Sequence, residues 1–313
     1  MKTAAVVVTY NRLSLLKECL DAIRRQTTQP DAIFVINNCS TDGTSEYLAT
    51  LGKPFVIINL EKNLGGAGGF SRGIKEAVTA GFDYVWVMDD DTVAEPDALK
   101  NLLRAFSVAD NVGFAVSKAV WTDGQTHKMN IPSLVVVKDR SVSFNSYSRP
   151  DLPVFLVNNG TFVSMLISAK AVVKAGLPIA EFFIWADDIE FSMRVIKAGF
   201  IGLYVDNSIV VHKTPDNYFA QPQYTAPESA WKFYYQARNT YYMQRKYGIF
   251  GSLTSFAKAV NRYRIYMRRV GKRNDNKGKV FMSYIRKGFI DGMKFNPQIE
   301  YINPDQISKK TPE

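Results

Sequence analysis

The chain has 313 residues, of which 46% are hydrophobic and 22% charged, and this composition excludes an intrinsically disordered or fibrous protein. The net charge is +10, and residues 251–313 alone carry +9 (14 Lys+Arg against 5 Asp+Glu), leaving about +1 for everything before them. No stretch approaches the roughly 18 apolar residues of a membrane-spanning helix, and the two cysteines, Cys19 and Cys39, are too few for a disulfide framework.

The first ~120 residues alternate short apolar runs with amphipathic segments, the pattern of strand–helix–strand units in a mostly parallel sheet. Ala4 to Val8 reads as a buried strand, and Leu13, Leu16, Leu20 and Ile23 follow helical spacing through Arg25. Ile33 to Ile36 is a second strand. The turn Ser40-Thr41-Asp42-Gly43-Thr44 leads into a helix from Ser45 to Leu51, and Phe55 to Ile58 is a third strand. Asn63-Leu64-Gly65-Gly66-Ala67-Gly68-Gly69 reads as a glycine-rich loop that brings backbone amides close to an anion, ahead of a helix from Phe70 to Ala80. Close helix–strand packing is the competing explanation of those glycines. Tyr84 to Met88 is a fourth strand, followed by a helix with Pro96 near its first position. From Val112 to Val163 short β-rich pieces, including Leu134 to Val137 and Val154 to Val157, suggest a mixed sheet with hairpins. Helical spacing returns at Ala169 to Ala175 and Ile189 to Ala198, and Ile201 to Val205 and Ile209 to Val211 read as two strands. After Pro227 the chain reads as helical, and the polar tail after Asn296, with Pro297, Pro304 and Pro312, as poorly ordered.

Chemistry concentrates at Asp89-Asp90-Asp91, directly after the fourth strand. Side chains two apart on a strand share a side, so Asp89 and Asp91 converge while Asp90 points away. Three successive carboxylates repel one another, and hard oxygen ligands at the carboxyl end of a sheet suit Mg²⁺ or Mn²⁺ with a bound phosphate. An acidic surface turn is the bland alternative. Trp185-Ala186-Asp187-Asp188 opens a helix: Asp187 is placed to cap it, Asp188 to act as a general base, and Trp185 to give a sugar ring a flat face. An Asp of ordinary pKa, about 3.9, is ionised at neutral pH. His212, one of two histidines, follows a strand and is a candidate third metal ligand.

These segments together resemble the family 2 inverting glycosyltransferases. The resemblance runs over roughly residues 3–215 and rests on Val6-Val7-Val8-Thr9-Tyr10-Asn11-Arg12, Asn37-Asn38-Cys39-Ser40-Thr41-Asp42-Gly43-Thr44, Asp89-Asp90-Asp91, Asp187-Asp188 and His212. It implies an α/β chain of GT-A fold: a catalytic domain over 1–226, with a Rossmann-like nucleotide-sugar-binding half (1–111) and a mixed-sheet acceptor half (112–226), and a helical, basic region over 227–313. It implies Asp188 as catalytic base and Asp89, Asp91 and His212 as ligands to Mn²⁺ or Mg²⁺. Thr9, Asn11, Arg12, Asn37, Asn63, Gly66, Gly68, Gly69, Asp89, Asp90, Trp185 and Asp187 would line the substrate pocket. Asn37 stands where many members have an Asp that pairs with the uracil imide. Within the family the glycine segment, the triple Asp and Trp185 look most like galactofuranosyltransferases using UDP-galactofuranose, with dTDP-rhamnose-dependent rhamnosyltransferases as near relatives.

The implied partners are a UDP- or dTDP-linked sugar and a glycan or lipid-diphosphate-linked acceptor. Arg262, Arg264, Arg268, Arg269, Lys272 and Arg273 suggest docking on an anionic membrane surface. Tyr234, Tyr235, Arg238 and Asn239 form a Tyr-Tyr-x-x-Arg-Asn run of a kind that follows the catalytic domain in many relatives. With no signal peptide read at Met1 to Ala4, a cytoplasmic location, peripheral at the inner face of the plasma membrane, is expected. A nucleotidyltransferase would carry a basic glycine-rich loop after the first strand, where Thr9-Tyr10-Asn11-Arg12 stands. A nucleic-acid-binding protein fits the charge total, but the triple Asp would repel phosphates without a cation, so no nucleic acid is expected. An inactive transferase fold that only scaffolds other proteins is the remaining alternative, and a turnover assay separates it.

Overall fold

The structure is a computed structural model and describes residues 1–135, 148–247, 251–273 and 275–308, of which 251–255 as helical backbone alone. In chain order the elements are β1 (Thr3–Thr9), α1 (Leu13–Arg24), β2 (Ala32–Asn37), α2 (Thr44–Ala49), β3 (Phe55–Asn59), α3 (Gly65–Thr79), β4 (Tyr84–Asp89) and β5 (Thr92–Ala94). Then follow α4 (Ala98–Ala105), β6 (Val112–Val120), β7 (Val154–Val157), β8 (Met165–Ser168), α5 (Ala169–Ala175), α6 (Asp187–Lys197) and β9 (Ile201–His212). The last helices are α7 (Lys232–Tyr247), α8 (Gly251–Val270) and α9 (Gly278–Gly292).

One sheet runs in the order β3-β2-β1-β4-β8-β6-β9-β5, with β7 also paired to β9. The β3-β2-β1-β4 half is parallel, and antiparallel pairs enter at β8. Alternation along β1 divides the core between two faces. Ala4, Val6 and Val8 face α3, α5 and α6 with Phe70, Ile74, Val172 and Phe191, and Ala5 and Val7 face α1 and α4 with Leu16, Leu20, Ile23 and Leu102. The mixed region is present, but its strands pair with distant partners: β6 with β8 and β9, β7 with β9. Leu134 makes one bridge to Val157, while Val136 and Val137 lie outside the described residues.

Three local expectations change. The glycine-rich segment is not a loop: α3 begins at Gly65. Glycine costs a helix interior about 1 kcal/mol relative to alanine, and here the deficit is offset by contact. A Cβ at Gly69 would lie 2.5 Å from Val8 Cγ1, and one at Gly73 would lie 2.3 Å from Val6 Cγ1. The glycines therefore let α3 lie directly on β1. The two strands expected at 201–205 and 209–211 are one, β9, whose register against β6 shifts between Ser117 and Lys118. Finally, the polar tail through Ser308 is docked. Ile302 is buried in the main core, Leu177 N donates to Glu300 O at 2.8 Å, and Ser308 N donates to Thr79 O at 2.8 Å. Ile299, Ile302 and Ile307, spaced among polar residues, supply the apolar grip; Pro312 lies outside the described residues.

The helices α7 to α9 pack around Phe233, Tyr266, Val270, Phe281 and Ile285. No helix among the described residues is long and apolar enough to cross a membrane. Both cysteines are free thiols, Cys19 buried and Cys39 half-buried.

Candidate active site

The site forms where β4 ends and the chain turns through Asp90 and Asp91 into β5. β5 pairs antiparallel with the last residues of β9, which sets Thr92 opposite His212. Lys213 N donates to Asp91 O at 2.8 Å and closes the turn. Residues 120 positions apart in sequence thus share one corner. One ligand atom each from Asp89, Asp91 and His212 lies within 4.8 Å of the others. Asp91 Oδ1 is buried and 3.3 Å from His212 Nε2, but the pair is not aligned as a hydrogen bond, and Oδ1 has no hydrogen-bond partner among the described residues. A cation would satisfy both atoms. Two carboxylates and one imidazole make a donor set suited to Mn²⁺, and to Mg²⁺ through the carboxylates.

The surrounding groups fix these ligands. His212 Nδ1 lies 2.9 Å from Asn130 Oδ1, an acceptor, so Nδ1 donates there and Nε2 is the ring nitrogen left to face Asp91. The His127 ring lies 4.3 Å from that of His212, with its Nε2 2.8 Å from Thr214 Oγ1. Burial first, and the adjacent His212, hold His127 down at about 4, so it is neutral. Burial opposes ionisation of Asp91, but His212 and Arg12 outweigh it and bring the carboxyl to about 2. Asp89 moves the opposite way: burial, then Asp91 and Asp90, push it well above the usual carboxylate range. The protein alone therefore disfavours the ionised form of Asp89, and a cation bound there would oppose that shift.

Asp90 does point away from the Asp89–Asp91 pair, and it points into protein. It accepts from Thr9 Oγ1 at 2.8 Å, Tyr10 N at 3.3 Å and Arg12 Nη1 at 3.3 Å, so it secures the loop after β1. Arg12 also reaches Asp91 Oδ2 at 2.6 Å. Asn11, at φ +54°, accepts Thr41 N at 2.7 Å. Asn37 is 1% exposed and fully engaged: Nδ2 donates to Ser45 Oγ and Asn59 Oδ1, and Oδ1 accepts Ser40 N. It braces the β2 end and, in this arrangement, presents nothing to a base.

A cleft of about 740 Å³ joins Arg12, Gly66, Asp89, Asp91 and His212 to Trp185, Asp187 and Asp188, and its far wall carries Lys232 and Gln236 of α7, Arg262 of α8 and Arg273 from the α8–α9 connection. Of the expected substrate residues, Arg12, Gly66, Asp89, Trp185 and Asp187 line it, whereas Thr9, Asn11, Asn37, Asn63, Asp90, Gly68 and Gly69 do not; Gly68 and Gly69 abut Leu64 and Val8. The anion-binding role expected for the glycine segment also loses donors, because Gly65 N is taken by Asn63 Oδ1 and Ala67 N by Phe183 O. Trp185 packs edge-on to Phe233, with centroids 5.2 Å apart. Asp187 is the first residue of α6 and makes no side-chain cap, contrary to one expectation for it. Burial, then the adjacent Asp188, raise its pKa to about 8. Asp188 Oδ1 accepts Ile189 N at 2.7 Å, yet burial outweighs that bond and raises its pKa to about 6, above the ordinary value assumed from sequence.

Asn130, His127 and Lys232 were not anticipated. Each sits in a segment with no motif, and each reaches the site only through long-range folding. Arg262 and Arg273, expected on a lipid-facing surface, line the cleft instead, and Arg273 is tied to Asp275 and to the carbonyl of Thr225.

The family model described as Glycosyl transferase family 2 matches residues 4–162. The galactofuranosyltransferase GlfT1 of Mycolicibacterium smegmatis is 30% identical over 205 residues, covering 62% of this chain and 65% of that one. The O-antigen chain rhamnosyltransferase RfbN of Salmonella typhimurium is 29% identical over 217 residues, 68% of this chain and 66% of its own. The chain thus spans just under two thirds of the length of these curated relatives. Among solved structures, the mannosyltransferase PcManGT from Pyrobaculum calidifontis in complex with GDP-Man and Mn²⁺ superposes with a TM-score of 0.56 at 14% identity, covering 93% of this chain and 87% of that one. The fold is that of the GT-A glycosyltransferases.

Proposed function

This chain belongs to glycosyl transferase family 2, and from that premise we propose that it is an inverting, metal-dependent transferase moving galactofuranose from UDP-galactofuranose onto a hydroxyl of a glycan or lipid-diphosphate-linked acceptor. The observation that carries the reading is the placement of Asp89, Asp91 and His212 in one cleft with Asp188. Residues 1–226 would form the catalytic domain and 227–313 a basic helical region that supplies one cleft wall.

In this reading Asp188 takes the proton from the acceptor hydroxyl as its oxygen attacks the anomeric carbon and the bond to the diphosphate breaks. Asp89, Asp91 and His212 would hold Mn²⁺ or Mg²⁺, which when bound supplies Lewis-acid stabilisation of the departing diphosphate. Arg12 and Lys232 add positive charge to the same cleft. Trp185 offers the sugar a flat apolar face. A dTDP-rhamnose donor is the second reading, favoured by the similarity to RfbN.

Nucleotide release measured with UDP-galactofuranose and with dTDP-rhamnose, in Mn²⁺ and in EDTA, tests the proposal. Release from UDP-galactofuranose in Mn²⁺ alone is expected; release from neither donor would end both readings.

The proposed location is cytoplasmic, at an anionic membrane surface. An open groove of about 520 Å³ between α8 and α9 interleaves Met267, Met282 and Ile290 with Lys279, Arg286 and Lys287, a surface of the composition that binds anionic bilayers. Sedimentation with phosphatidylglycerol vesicles at low salt should carry the protein down, and I290D should weaken this. Recovery of wild type in the supernatant would dismiss the membrane assignment.

A further inference from the structure

The backbone that leads into Asp188 has a shape its side chains disfavour. Phe183 and Trp185 have φ of +65° and Ala186 of +68°, the left-handed region that bulky residues avoid. Such a segment persists only if something outside it holds it. Its carbonyls show what does. Asn239 Nδ2 donates to Phe182 O at 3.0 Å, Ile184 O at 3.3 Å and Trp185 O at 2.9 Å. Arg238 Nη2 donates to Glu181 O at 2.5 Å and Phe182 O at 3.3 Å, and Phe183 O accepts from Ala67 N on α3. Every carbonyl from 181 to 185 is thereby engaged, four of them by two adjacent residues of α7.

The two donors also organise each other. Asn239 Oδ1 accepts Arg238 Nε at 3.0 Å and Nη2 at 2.9 Å, and the guanidinium lies 3.9 Å from the Phe295 ring centroid. Asn239 is fully buried and Arg238 nearly so. Apolar residues would anchor α7 as well without dehydrating an amide and a guanidinium; Phe233, Ala237 and Tyr242 already do so. The polar pair is spent on one strained segment, and that segment presents Trp185 and Asp188 to the cleft.

We propose that Arg238 and Asn239 are positioning residues that set the aim of Asp188 and Trp185, so that α7 is a working part of the catalytic centre. The inference rests on the transferase reading above. N239S, and R238K in case the first variant folds poorly, should raise amide hydrogen exchange across 181–188 by about tenfold or more while α1 and α4 exchange as in wild type. Turnover of UDP-galactofuranose or dTDP-rhamnose should fall about 10- to 100-fold. Calorimetry with UDP and Mn²⁺ should give an unchanged number of sites per chain and an affinity within about twofold of wild type, because the Asp89–Asp91–His212 corner does not touch the clamp. Unchanged exchange at 181–188, unchanged turnover, or a loss of turnover matched by a loss of binding sites would each overturn the positioning role. A wild-type chain that turns over neither donor would instead overturn the transferase reading, with exchange still reporting on the clamp.

Discussion

Asp188→Asn should lower turnover by about 10²- to 10⁴-fold, the usual contribution of a positioned general base. That corresponds to about 2.7–5.4 kcal/mol of transition-state free energy. The substitution is nearly isosteric, and a carboxamide oxygen can still accept Ile189 N, so the segment has no reason to move. What disappears is the capacity to take a proton. Binding of UDP with Mn²⁺ should stay within about twofold of wild type, since that corner is built by β4, β5 and β9. The raised pKa adds a second signature. A base with pKa about 6 is about 90% ionised at pH 7 and about 10% at pH 5, so wild-type kcat/KM should fall tenfold per unit on the acid side of about pH 6. The residual activity of the variant should lack that limb. Near-normal rates in the variant, or an acid limb surviving in it, would transfer the role of base to another group.

Asp91→Ala should abolish the Mn²⁺-dependent part of UDP binding, with affinity in Mn²⁺ falling by about 100-fold or more to the value seen in EDTA. The size follows from three losses at once. A ligand oxygen with no other partner disappears, the Arg12 side chain loses its 2.6 Å contact, and His212 loses the carboxylate that its Nε2 faces. The backbone bond from Lys213 N to the residue 91 carbonyl is untouched by the change, so the β5–β9 corner should keep its register. Calorimetry with UDP, run with Mn²⁺ and with EDTA on both proteins, makes the comparison. Equal metal dependence in the variant and wild type would remove Asp91 from the ligand set.

Much of this organisation can be read along the chain because it is local. Strand β1 follows from its unbroken apolar run and helix α1 from the spacing of Leu16, Leu20 and Ile23, and the triple Asp declares itself by its place after an apolar strand. The misreadings share one cause: a partner far away in sequence. Gly69 looks like part of a loop until Val8 is set against it. The tail looks unstructured until Ile302 meets the core. Asn37 looks available to a nucleotide until Ser45 and Asn59 take its amide. Asp188 looks like an ordinary acid until burial is counted. Asn130 and Lys232 carry no local signal, because their roles exist only after β6, β9 and α7 are in place.

The docked tail has a mechanical meaning. Helices α7 to α9 are moored to the sheet layers at their start, through Asn239 and Arg238, and again beyond their end, where the chain from Glu300 to Ser308 is hydrogen-bonded beside α3 and α5. A wall tethered at both ends has little freedom to swing as a door. The position of that wall is therefore set as the chain folds, and its part in the choice among sugars would come from the fit of side chains already in place.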